Sequence, residues 1–482
     1  MASATPMDRQ RRDLTTGSLR RTLLTMALPI MAAQVLTSFY SLTDMFWLGK
    51  MAVGAKEALA AVGPTAALTF IVVAFGMGFG SGGTALVSQH TGARRHRDAD
   101  VAAGQTILLL TCATAVASSL VFIFAPQVLR LLQTPPEVMP QALPFLRILL
   151  CSMPFIAFNI GYGSALRAIG DTLTMVMIQL CTNVLNFVMS PVLIFGLGPA
   201  PALGIRGAAF VTLFSSMLTA VISVILLRRG RSGLKLDLSD FRPNFAVIRL
   251  IFRIGLPAGV SMSSNSIGFL VLQGMINKLG ATVMGAYTLG SRITEILSVP
   301  AGALAVSTAP VVGQALGAGK PEIARRAVRT SVMMYSFGML IPQAVLMLEG
   351  QVVARGFTHD AGIISEAGRF FVLVPASNYC FNILMVVLSA FHGSGHTRPV
   401  MVLSLLRQWV LRIPLCLILC FGWGFIPSYG SRGLYAGLVI GNVISAALAW
   451  WLFRTGAWDK PVVPVGEAGE PQSAEAEVTG LN

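Results

Sequence analysis

The chain has 482 residues, of which 54% are apolar and 11% charged, with a net charge of +15 and a mean hydropathy of +0.72. A soluble domain carries about 25% charged residues, so composition excludes an ordinary soluble fold and places the chain among membrane proteins. The positive excess follows the loops rather than one face, which excludes a nucleic-acid reading.

Residues 1–21 form a polar, Arg-rich tail with no evident cleavable signal peptide. Apolar runs then recur to residue 453, each long enough to cross a hydrocarbon core of about 30 Å with about 20 residues. They are too long and too uniformly apolar for barrel strands. The spans are 22–48, 58–90, 100–125, 141–166, 173–196 and 205–228, then 246–277, 281–315, 324–348, 362–391, 398–424 and 431–453. The reading is an all-α integral membrane protein of about twelve transmembrane helices, with an N-lobe over 22–228 and a C-lobe over 246–454. The polar stretch 229–245 is a cytoplasmic linker, and 455–482, with three prolines and four glutamates, is expected to be a disordered cytoplasmic tail. With the N-terminus inside, cytoplasmic segments hold 22 Lys and Arg and the opposite loops seven. That asymmetry places both termini in the cytoplasm. All six cysteines fall within spans and read as small packing residues.

The two lobes repeat. Leu28-Pro29 matches Leu256-Pro257, and Val87-Ser88-Gln89 matches Val312-Gly313-Gln314. Phe158-Asn159-Ile160 matches Phe381-Asn382-Ile383, Gly170-Asp171-Thr172 matches Gly395-His396-Thr397, and Gly204 to Gly207 matches Gly430 to Gly433. All offsets lie between 223 and 228 residues. Six helices per lobe give both the same orientation, so the repeat is parallel and pseudo-symmetric about an axis along the membrane normal. Gly76, Gly78, Gly80, Gly82 and Gly83 in the second span permit close helix approach, with a hinge as the alternative.

The segment 76–93, GMGFGSGGTALVSQHTGA, resembles the end of the second helix of multidrug and toxic compound extrusion (MATE) transporters, as does 311–319, VVGQALGAG. LRAIGDT (166–172), TNVLNFVMSPVLIFGLGP (182–199) and GIRGAA (204–209) also match that family's pattern, over roughly 22–453. The resemblance implies a V-shaped, two-lobed exporter with a central cavity. It implies antiport of cationic amphipathic compounds against H⁺ or Na⁺, with no cofactor and no obligatory protein partner. It also implies a monomer in the bacterial inner membrane.

Ionisable groups at membrane depth are costly and are functional candidates by default. On the first span Thr37, Tyr40, Ser41 and Asp44 share one face. On the fifth, Gln179, Asn183, Asn186 and Ser190 form a second stripe, and the fourth adds Asn159 and Tyr162. If those faces meet, a polar pocket surrounds Asp44. Buried there, Asp44 would exchange a proton near neutral pH; ionised, it would hold Na⁺ with asparagine oxygens or pair with a cationic substrate. The alternative is a capped aspartate near a helix end. Asp44 matches the helix 1 carboxylate of the resembling family. Many members also carry Asp in helix 5, where this chain has Ser190, which puts a two-carboxylate mechanism in doubt.

In the second lobe Glu295 stands on a polar face with Tyr287, Ser291, Thr294 and Ser298. Asn265 lies on the seventh helix, Asn378 and Asn382 on the tenth with Glu366 near its start, and Arg407, Gln408 and Arg412 on the eleventh. Glu295 either pairs with Arg407 or binds substrate or ion. His392 and His396 read as part of an ordinary loop. Two further readings are a lipid-linked precursor flippase or other metabolite exporter, which Arg407 and Arg412 keep open, and a membrane-embedded enzyme. Against the enzyme, none of the five histidines lies deep in a span.

Overall fold

The computed structural model describes residues 11–50, 55–132, 134–196, 201–230, 233–234, 236–422 and 427–463; at 38–45, 49, 55–59, 64, 66–67, 71 and 238 the backbone alone is described. These residues are helical with no strand among them. In order, the long helices are α1 Leu19–Gly49, α2 Ala55–Gly92, α3 His96–Ile123, α4 Met139–Ala168, α5 Thr172–Phe195 and α6 Ile205–Arg229. There follow α7 Phe245–Lys278, α8 Ala281–Gly317, α9 Pro321–Arg355, α10 Ala361–Ser394, α11 Thr397–Phe421 and α12 Gly430–Thr455. Eleven of these are long and apolar enough to cross a membrane among the described residues, and α1, 31 residues long, completes the twelve. Each expected span is a helix whose ends lie within two turns of the reading. Asp171 and Asp360 stop the backbone at the N-termini of α5 and α10, accepting from Thr174 N at 3.0 Å and Ile363 N at 2.8 Å. Gly196, Gly230, Gly395 and Gly456 end their helices in the left-handed conformation.

By packing, the chain forms two units. Unit 1 takes Met1–Asp13, Ala32–Gly259 and Val463–Asn482, and unit 2 takes Leu14–Met31 and Val260–Val462. The division runs through α1 and α7 rather than through the 229–245 linker. The cause is local. In unit 1, Gly78 and Gly82 on α2 face Gly255 and Gly259 on α7, so closely that a Cβ at Gly78 would lie 2.3 Å from Gly259 N. Lipid tails are as apolar as leucine, so close backbone approach is what selects the neighbour. In unit 2 the matching segment of α1 packs on α8, with Ala27 and Ile30 against Ala301 and Leu304, and Leu23 and Met26 against Val311. Each unit therefore contains the leading segment of the other half's first helix.

The described part of the linker is folded. Its turn Leu238–Phe241 is capped by Asp237, and Asp240 is buried and paired with Arg97 at 2.7 Å. Gln105 on α3 donates to the carbonyls of Asp240 and Arg242 at 2.7 and 2.8 Å. Arg11 in the N-terminal tail pairs with Asp100 at 2.7 Å and donates to Gly233 O at 2.8 Å. The expected disorder of 455–482 is corrected for its first residues. Trp458 is fully buried and stacks on Phe453 at 5.1 Å, and Asp459 pairs with Arg325. The large apolar ring outweighs the polar composition around it. Residues 464–482 lie outside the described residues, as do 1–10.

Candidate functional site

In unit 1, α1 and α5 meet through polar groups. Gln179 Nε2 donates to Thr37 Oγ1 at 2.8 Å. Further along α5, Asn183 Nδ2 is buried with no partner among the described residues. Asn186 and Ser190 are fully buried, and Ser190 Oγ donates to Asn186 Oδ1 at 3.0 Å. The backbone of α1 carries Tyr40, Ser41 and Asp44 in helical register with Thr37, but their side chains lie outside the described residues.

Asn159 does not join this face. Its Nδ2 donates to Ser216 O and its Oδ1 accepts from Ser223 Oγ, both on α6 at 3.3 Å. Tyr162 is buried on α4. The matched asparagine of the second half has a different environment. Asn382 is buried and donates to Tyr335 Oη at 2.9 Å and to Ser298 Oγ at 3.1 Å. Asn378 bonds the same Ser298 and the Thr294 carbonyl. The α8 face that carries Thr294 and Ser298 is thus used by α10.

Glu295 is turned away from that network. It is 68% exposed and its partner is Arg292, one turn earlier at 3.4 Å. The Glu295–Arg407 pair, one of the two readings of Glu295, does not form, because each side chain has a nearer partner. Arg407 is buried in unit 2, and its Nη2 donates to Asn265 Oδ1 at 2.5 Å and its Nη1 to Asn442 Oδ1 at 3.2 Å. Its guanidinium lies 4.6 Å from the centroid of the Phe381 ring. Asn442 is held in turn by Ser377 Oγ at 2.8 Å.

Arg407 reaches these groups from a π-helical stretch, Leu406–Arg412, inside α11. The wider turn redirects side chains and recurs at functional sites. It fits against α7 because Gly268 has no side chain: a Cβ there would lie 1.9 Å from Gln408 Nε2. One residue on, Trp409 Nε1 donates to Ser264 Oγ at 2.8 Å. Arg407, Asn265, Ser404 and Phe381 line one crevice together with leucines and a methionine of α10 and α11.

Sequence reasoning passed over Asn442 and Ser377, which fix Arg407. It also left Glu366 without partners. That carboxylate is buried, accepting from Tyr435 Oη at 3.2 Å and pairing with Arg369 at 3.0 Å. Arg369 stands one turn along the same helix, a spacing visible in the sequence. Tyr435 comes from α12 and was not.

A family model, MatE, matches residues 29–192 and 257–418, one match in each half. The "Probable multidrug resistance protein YoeA" of Bacillus subtilis is 25% identical over 410 residues, covering 83% of this chain and 87% of that protein. A protein of Shewanella oneidensis named "FAD transporter" is 26% identical over 452 residues, covering 92% and 96%. Among solved structures, a crystal structure of a MATE protein in a straight conformation superposes with a TM-score of 0.83 at 25% identity, covering 94% of this chain and 98% of that one.

Proposed function

The chain belongs to the MatE family of multi-pass membrane transporters, which are not enzymes, and from that premise we propose that it is a secondary active exporter. Its cargo is cationic amphipathic compounds, carried outward in exchange for H⁺ or Na⁺ by alternating access of its two halves. Its place is the bacterial inner membrane, with both termini in the cytoplasm. The observation that carries the reading is the meeting of the α1 and α5 polar stripes at Thr37 and Gln179. Asp44 follows Thr37 by two turns of α1, which supports its role as the coupling carboxylate. Asn183, with an unpartnered buried amide, and the Asn186–Ser190 pair then supply neutral ligands for the ion. A serine at 190 leaves the titrating charge of this half to Asp44.

Relatives named as multidrug resistance proteins support a broad cargo. A second reading, export of a metabolite, is favoured by the FAD transporter among the relatives. The test is dye efflux in cells. Cells making the wild-type chain expel ethidium faster than cells lacking it, and Asp44→Asn at equal membrane abundance abolishes the difference. Unimpaired efflux by that variant removes Asp44 from the mechanism.

A further inference from the structure

The geometry points to an anion-binding subsite at Arg407 in unit 2, a site that takes the carboxylate or phosphate of an amphipathic molecule. The inference goes beyond the proposed cation export and rests on unit 2 alone.

Arg407 and Arg412 both stand on the π-helical stretch of a membrane-spanning helix. No carboxylate pairs with either among the described residues. The acceptors on Arg407 are the neutral amide oxygens of Asn265 and Asn442. They orient the guanidinium and leave its charge in place. A buried cation in a hydrocarbon setting is costly without a counter-charge, so its retention points to one supplied from outside the chain.

Arg412 Nη1 donates to Gln408 Oε1 at 3.5 Å, while Arg412 Nε and Gln408 Nε2, both N–H donors, are buried with no partner among the described residues. Ser404 Oγ accepts from Ser261 Oγ at 2.7 Å, which leaves its own proton to give. The stretch around Arg407 therefore has donors in excess of acceptors, and what it lacks is an acceptor. An oxyanion is the acceptor that also balances charge, and guanidinium holds carboxylate and phosphate through paired hydrogen bonds.

Beside Arg407 and Ser404 the crevice is apolar, with Phe381, Leu384, Met385 and Leu388. The apolar wall favours an oxyanion carried on an apolar body over a wholly polar anion, and with room for about one water the crevice takes the oxyanion end alone. The first half has no counterpart. The 225-residue offset that relates Thr172 to Thr397 puts Thr182 where Arg407 stands, and its hydroxyl is within 2.5 Å of that of Thr219.

The test is equilibrium binding to the full chain in phosphatidylcholine nanodiscs, so it does not depend on ion-driven transport. Two probes share one ring system and differ in charge, 1-naphthoate and 1-naphthylmethylamine. Wild type is expected to bind naphthoate saturably, and Arg407→Gln to weaken that binding about tenfold or more, the loss of one charge-assisted contact. Arg407→Lys, which keeps the charge without the fork, is expected to fall between them. The amine is expected to bind both wild type and Arg407→Gln alike. Asn265→Asp guards against a folding defect, since it gives Arg407 an internal partner: its melting temperature should hold or rise while naphthoate binding falls. Competition by added phosphatidylglycerol would assign the site to a lipid headgroup, and absence of competition to a soluble anion. Wild-type naphthoate affinity in Arg407→Gln or Asn265→Asp, or no saturable naphthoate binding by wild type in either lipid, overturns the inference.

Discussion

The backbone N–H of Leu14 donates to Gln314 Oε1 at 3.0 Å, and its counterpart is the N–H of Val463 donating to Gln89 Oε1 at 3.1 Å. Gln89 and Gln314 are the matched glutamines that end α2 and α8, and both are buried. Each thus anchors the approach to one end of the chain. Leu14 is the first residue assigned to unit 2 and is held there by Gln314, and Val463 is held within unit 1 by Gln89. Replacing either glutamine by leucine keeps the volume and leaves a buried N–H without its acceptor, at about 1–3 kcal/mol. Gln314→Leu should lower the melting temperature in detergent and speed amide exchange at Leu14, and Gln89→Leu should do the same at Val463. Unchanged exchange at both amides would show that the glutamines do not hold them.

The crossing of α2 and α7 makes a steric prediction. Gly78→Ala puts a methyl group against the backbone of Gly259, and overpacking of this kind costs about 1–3 kcal/mol. Gly338→Ala on α9 is the control, since among the described residues no atom beyond its own stretch of helix lies within 4 Å of its Cβ position. It should be neutral or stabilise by up to about 1 kcal/mol through helix propensity. The pair is compared by melting temperature and by yield of folded protein. Equal behaviour of the two variants would mean that the helices separate at no cost.

Trp458 extends the second half beyond its last helix. Its indole Nε1 donates to Phe453 O at 3.0 Å, and its ring is closed off by Phe453 and Phe391. Trp458→Ala removes a fully buried ring and should cost about 3–5 kcal/mol. A melting temperature within error of wild type would show that 456–463 is only loosely attached.

Much of this was legible in the sequence because hydrocarbon imposes length and apolarity on each span, and loops carry their charge asymmetrically. The repeat was legible because motifs such as Val87-Ser88-Gln89 and Val312-Gly313-Gln314 keep their order and spacing. Partners were harder. A spacing of three or four residues says that Asn183 and Asn186 share a face, and nothing about which helix that face meets. Asn159 therefore read as part of the Asp44 pocket, whereas its amide is engaged by Ser216 and Ser223 of α6. Charge alone suggested Glu295 and Arg407 as a pair. The local Arg292 and the π-helical turn of α11, which has no sequence signature, gave each a different partner. The division within α1 and α7 was hidden for a related reason. It depends on Gly78 and Gly82 meeting Gly255 and Gly259, two short motifs far apart in the chain.

The central claim, ion-coupled export through Asp44, is tested most directly by reconstitution. Purified wild-type and Asp44→Asn proteins are placed in liposomes, and dye movement is followed while a proton gradient and a sodium gradient are imposed separately. The account predicts that one gradient or both drive transport by wild type, and that Asp44→Asn responds to neither while remaining folded. Transport by wild type that ignores both gradients, or an Asp44→Asn protein that responds like wild type, would contradict it.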